Sequence, residues 1–153
     1  MGWDLRHRAV ELGLLMVPVL AIVGWLRWSH RDVDFCRRLL SDLSRGRASV
    51  ERQIAWEQFQ AFEEDVGADY RRFPEGKERT DYRREFIRGF AMGFKREGAR
   101  GGEFTGWRVM KRTPERVHVA VDNRRSGKTL VFVITTAKPT RWVGTQWVEA
   151  VAP

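Results

Sequence analysis

Apolar and polar positions follow three different rhythms along this chain. Residues 12–26 carry no charge at all. As a helix that run would span about 22 Å, short for a hydrocarbon core of about 30 Å. Ala9 and Val10 lengthen it, and the aliphatic stems of Glu11 and Arg27 reach toward headgroups. Trp3, Trp25 and Trp28 stand where an interfacial aromatic belt would stand. The run predicts a single membrane anchor built on Leu12, Leu15, Val19, Ile22, Trp25 and Trp28. Pro18 does not oppose this, because membrane helices tolerate proline. A cleaved signal peptide and a buried core helix are the alternatives. No small-x-small cleavage site follows Leu26, and Cys36 lies too far beyond the run for a lipoprotein.

The second rhythm is helical. Val33, Cys36, Leu40 and Leu43 recur at spacings of three and four, and Leu39 widens the stripe. Arg31, Arg38, Asp42 and Arg45 take the opposite face. Such a helix either packs on a neighbour or lies on anionic lipid, at about 1 kcal/mol per arginine. Ser49 suits the N-cap of a second helix with Ala55, Phe59, Phe62 and Val66 on one side, ended or bent at Gly67. A third is predicted over residues 77–97, where Tyr82, Phe86, Phe90 and Phe94 fall every four residues and Ile87 joins them. Gly89 and Gly93 lie in that helix at roughly 1 kcal/mol each against Ala, which predicts another element coming close along that strip.

The third rhythm has a period of two. Trp107 and Val109, then Val117, Val119 and Val121, then Leu130, Phe132 and Ile134, then Val143, Thr145 and Trp147 alternate with other residues. Thr113-Pro114-Glu115, residues 123–127 and Lys138-Pro139-Thr140 supply the turns. Helices gathered before strands predict an α+β fold: an N-terminal transmembrane helix, then two to three helices packed on a four-stranded antiparallel meander sheet. The predicted organisation is a tail and anchor over 1–28, a basic amphipathic juxtamembrane helix or linker over 29–48, and the α+β domain over 49–153. Val109, Val119, Phe132 and Trp142 are the sheet residues expected to meet the helix aromatics. Each buried Phe contributes about 1.5–3 kcal/mol.

Charge changes the picture more than length does. The 153 residues carry a net charge of +8, which favours anionic lipid, nucleic acid or an acidic partner. Arg27, Arg31, Arg37, Arg38, Arg45 and Arg47 follow the apolar run, and this heavier basic flank favours a cytoplasmic domain. The interleaved acids and the short basic N-terminal tail pull the other way. The single cysteine excludes an intramolecular disulfide and a Cys-based zinc site.

The aromatic helix over 82–94, the strand led by Trp107, the Gly127-Lys128-Thr129-Leu130 start of the third strand and the segment 142–147 together form a pattern. In element order it resembles the cystatin-like cone of the nuclear-transport-factor-two-like superfamily, over residues 49–151. The usual family order places a strand between helices, and no period-two run stands there in this sequence. The resemblance implies either a membrane-anchored scaffold or assembly subunit, or a cone that binds or isomerises a small molecule.

Little in the sequence points to catalysis. His7 and His30 flank the apolar run, and His118 sits alone in a strand. No histidines pair at metal-ligand spacing. Cys36 is either activated by Arg37 and Arg38 or packed on its apolar stripe. Gly127-Lys128-Thr129 lacks the upstream glycine of a phosphate loop and reads as a turn. Asp65, Asp69 and Tyr70 stand where a cone relative would line its open end, and Tyr70 and Tyr82 are the pocket candidates. Arginines at 71, 72, 79, 83, 84, 88, 96 and 100, with Lys95, make the third helix basic, but Glu75, Glu78, Asp81, Glu85 and Glu97 are interleaved and argue against nucleic acid. The sequence therefore predicts no cofactor and no enzyme. It predicts a membrane-anchored accessory or assembly subunit that docks a protein partner through a basic domain. An anchored small-molecule cone and a binder of anionic lipid or nucleic acid are the alternatives.

Overall fold

The period-two alternation of residues 104–149 becomes four hydrogen-bonded strands. In the computed structural model these are β2 (Phe104–Arg112), β3 (Arg116–Asn123), β4 (Lys128–Thr135) and β5 (Trp142–Glu149), joined as an antiparallel meander. The structure describes residues 24, 27, 30–100 and 102–149. The chain divides into two compact units, Met1–Arg31 and Asp32–Pro153. Among the described residues no helix is long and apolar enough to cross a membrane. The predicted anchor residues Leu12, Leu15, Val19, Ile22, Trp25 and Trp28 lie outside the described residues.

Helix α1 is described over residues 30–44, and its residues 32–44 open the second unit. Its predicted stripe is buried: Val33, Cys36, Leu39, Leu40 and Leu43 join the main core cluster. The helix therefore packs on its neighbours, tied to β2 by the Arg112–Asp32 ion pair and by Arg37 over the Trp107 ring. Helix α2 (Val66–Arg72) follows later, then α3 (Lys77–Arg96), close to its predicted span. Burial of Val117, Val119, Val121, Leu130, Phe132, Ile134 and Trp142 defines the sheet face that receives the helices. Val109 packs against the same cluster. Phe59 meets Trp142 edge-on at 4.6 Å between centroids and Phe86 at 5.6 Å, so the aromatic bands interlock as expected.

Residues 48–66 depart from the sequence reading. No helix starts at Ser49. The segment makes two 3-10 turns, Ala48–Gln53 and Trp56–Gln58, then strand β1 (Gln60–Ala61). β1 pairs parallel with β5, so the sheet is five-stranded and mixed, in the order β1-β5-β4-β3-β2, instead of a four-stranded antiparallel meander. The physical reason is the free edge of β5. Ile54 bridges Trp142, Ala55 N–H donates to the Trp142 carbonyl at 2.9 Å, and Phe62 N–H donates to that of Thr145 at 2.9 Å. Satisfying that edge outweighs the weak helical spacing of the aromatics.

Gly67 likewise has a different role from the predicted helix end. It lies in the first turn of α2, where a Cβ would come 2.5 Å from the Glu57 carbonyl oxygen. Its N–H donates to Phe59 at 2.9 Å, locking the 3-10 segment against α2. Gly89 and Gly93 are the reverse case. A Cβ at either would meet nothing within 4 Å among the described residues, so no described element closes on the strip as expected.

Candidate functional site

Among the described residues no three His, Cys, Asp or Glu side chains cluster to hold a metal ion. Cys36 is fully buried, and that burial, then the Asp32 carboxylate, pushes its thiol well above the usual range. It is a packed thiol, not an activated one. His118 lies on the sheet face away from the helices, and partial burial, then Lys111 and Arg116, lowers its pKa. Asp65 caps α2 by accepting from Ala68 N–H at 2.9 Å, and Asp69 pairs with Arg72 at 3.0 Å. Gly127 turns the β3–β4 hairpin at φ 66°, while Asn123 Oδ1 accepts from Arg125 N–H at 2.8 Å.

The predicted pocket tyrosines come together, and Tyr70 also lines a shallow cavity of about 390 Å³ with Ile54, Trp56 and Arg141. The tyrosine ring centroids are 6.1 Å apart, and Trp56 stands 5.7 Å from Tyr70 and 6.5 Å from Tyr82. Phe73 closes on Tyr82 at 5.0 Å, and Arg79 covers the Tyr70 ring at 5.0 Å. Burial, then the Asp69 and Glu64 carboxylates, raises the Tyr82 phenol. This is an aromatic stack that holds α2 and α3 to the 3-10 turn.

Of the basic juxtamembrane set, Arg37 lies over Trp107 and pairs loosely with Asp34 at 4.0 Å. Arg47 pairs with Asp42 at 3.0 Å. Arg27, Arg31 and Arg38 are exposed. Arg45 leaves the others and joins a groove between the end of α1 and the flank of α3.

That groove has a volume of about 450 Å³. Arg45, Arg84, Arg88, Lys95 and Arg100 line it, against the single acid Glu51. Glu51 is already engaged by Arg83 at 2.8 Å. Arg84 reaches Asp81 only at 3.9 Å. Arg100 Nε donates to the Ser44 carbonyl at 2.9 Å, a cation on the last turn of α1 where helix carbonyls attract it. Arg45, Arg88 and Lys95 form no ion pair with an acid among the described residues. Ile87 and Ala91 form an apolar wall beneath these charges, which concentrates their field at the opening. Guanidinium groups in such a groove are suited to fork onto carboxylate or phosphate oxygens.

The opposite flank of α3 holds a second, largely apolar groove of about 470 Å³, lined by Phe62, Gly89, Phe90, Gly93, Phe94 and Trp147 together with Arg96 and Glu97. Phe62 is held there at φ 49° by the β1 turn. Its ring stacks on Phe90 at 5.7 Å and on Trp147 at 6.2 Å. The helical spacing of Arg84, Arg88 and Lys95 is visible in the sequence. That Arg45 and Arg100 join them, and that Phe62 turns toward Trp147, depends on chain crossings that no local spacing signals. Comparison with family models, with curated proteins and with solved structures gave no match.

Proposed function

We propose that this chain is a non-catalytic accessory or assembly subunit of a membrane complex, which docks a protein partner through its basic α+β domain. The observation that carries the reading is the groove in which Arg45, Arg88 and Lys95 have no acidic partner among the described residues. Five cations gathered over one engaged acid repel one another, and an anionic partner relieves that repulsion. The tethering half of the proposal rests on the uncharged run over residues 12–26. The resemblance to the nuclear-transport-factor-two-like superfamily agrees with it, since anchored members there are often scaffolds. Tyr70 and Tyr82 pack in one aromatic stack with Trp56, an ordinary structural use that weighs against an isomerase role for them.

The test uses the full chain in its own membranes. After extraction in mild detergent the protein is expected to migrate in a complex. A triple variant Arg45→Glu, Arg88→Glu, Lys95→Glu is expected to migrate alone while keeping its thermal midpoint. Wild-type protein that migrates alone sinks the docking reading. Release of the wild-type protein by alkaline carbonate sinks the tether.

A further inference from the structure

The two grooves share one ridge, the outward face of α3. At about 100° per residue, Arg84, Arg88 and Lys95 fall on one flank, Gly89 and Gly93 on the other, and Met92 between them. Met92 is 53% exposed, one of the few large apolar side chains left open among the described residues. Exposed apolar surface beside a cluster of cations marks a contact whose occupant has the complementary arrangement. We infer that the docked partner presents an acidic amphipathic helix that lies across α3, its apolar side over Gly89, Met92 and Gly93 and its carboxylates on Arg84, Arg88 and Lys95. This rests on the docking reading above and adds what is docked.

Three features select this occupant. The strip from Arg84 to Lys95 runs about 17 Å along the axis, room for about three turns of a facing helix. The space above both glycines is open to 4 Å, so a helix can approach more closely than side chains usually permit. The apolar groove continues the contact sideways onto Phe62 and Trp147. The charge excludes the nearer candidates. A second copy of this chain brings a net charge of +8, and among the described residues none of its α-helices carries more acids than bases. The chain's own undescribed ends offer Asp4 and Glu11 against Arg6 and Arg8 at the start, and no acid over residues 150–153. Neither matches the cations of the groove, and an acidic partner protein does.

The experiment places a photo-crosslinking amino acid at Met92, and separately at Arg88, in the full-length protein in its own membranes. The captured peptides are then sequenced by mass spectrometry. Both positions are expected to capture one segment, with acids and apolar residues recurring every three to four positions. Capture from Arg88 but not from Met92 leaves docking intact and overturns the helix across α3. No protein captured from either position overturns docking as well. Capture of lipid at both positions makes the basic groove a membrane contact and overturns the inference. A second variant, Gly93→Trp, fills the open strip without touching the core. It is expected to weaken retention of the partner about tenfold at unchanged thermal midpoint, as loss of a central contact does. Retention equal to wild type overturns the inference.

Discussion

The inward and outward faces of α3 are built from different materials. Inward, Ile87 and Phe94 are buried, and Phe90 meets Trp142 edge-on at 5.7 Å. Outward, Arg88, Gly89, Met92, Gly93 and Lys95 are exposed, and among the described residues nothing stands within 4 Å of a Cβ at either glycine. An exposed helix position with no neighbour favours Ala by roughly 1 kcal/mol over Gly. The inward face is thus close to what stability alone asks for, and the outward face is not. Departures from local preference concentrate where a chain does something other than hold itself together. Substitutions that act on stability and substitutions that act on docking should therefore separate by face.

The largest effect belongs to the inward side. Phe94 and Phe59 are 3% and 0% exposed, and both sit in the aromatic lattice with Phe86, Phe90, Phe132 and Trp142. Phe94→Ala or Phe59→Ala is expected to cost about 3–5 kcal/mol in urea unfolding. A cost below about 1 kcal/mol would mean that the inward face can collapse around the cavity, and the contrast between faces would lose its basis.

The next test compares glycines. Gly67 has the Glu57 carbonyl against its Cα, whereas Gly89 and Gly93 have nothing. Gly67→Ala forces backbone apart and is expected to destabilise by about 1–3 kcal/mol. Gly89→Ala and Gly93→Ala are expected to stabilise by roughly 0.5–1 kcal/mol each, because a helix interior gains from the lost flexibility of the unfolded chain. Opposite signs from one chemical change, read as shifts in urea midpoint at constant slope, would locate the difference in the surroundings of each residue. Destabilisation at Gly89 or Gly93 would show that something in the chain occupies the strip.

The same distinction explains how much of the molecule its sequence discloses. The meander is legible because Val117, Val119 and Val121, then Leu130, Phe132 and Ile134, alternate over one buried face between turn residues. Helix α3 is legible from its repeating aromatics and from Lys95 and Arg96 in its last turn. Residues 48–66 are not. Phe59 and Phe62 keep a helical distance, yet Phe59 enters the core while Phe62 turns outward through a positive φ. What decides this is the unpaired edge of β5, a strand more than seventy positions away in the chain, and the two-residue β1 has no period of its own. For the basic groove, α3 shows three of the cations by spacing. Arg45 and Arg100 are recruited only because the end of α1 meets the end of α3, through the Arg100–Ser44 hydrogen bond.

The smallest expected change in stability tests the outward face most directly. Arg88 and Lys95 are exposed and have no acidic partner among the described residues, so no ion pair is lost when they are replaced. Arg88→Glu and Lys95→Glu are each expected to move the unfolding free energy by no more than about 0.5 kcal/mol. Removing a like charge from beside Arg84 even favours a slight gain, which added salt should erase. Retention of the partner should fall in the same variants, and steeply. If both quantities fall together, the cations hold up the fold and the groove is structural. If stability stays level while retention falls, the charges are kept for a contact outside this chain, and the two faces of α3 have separate purposes.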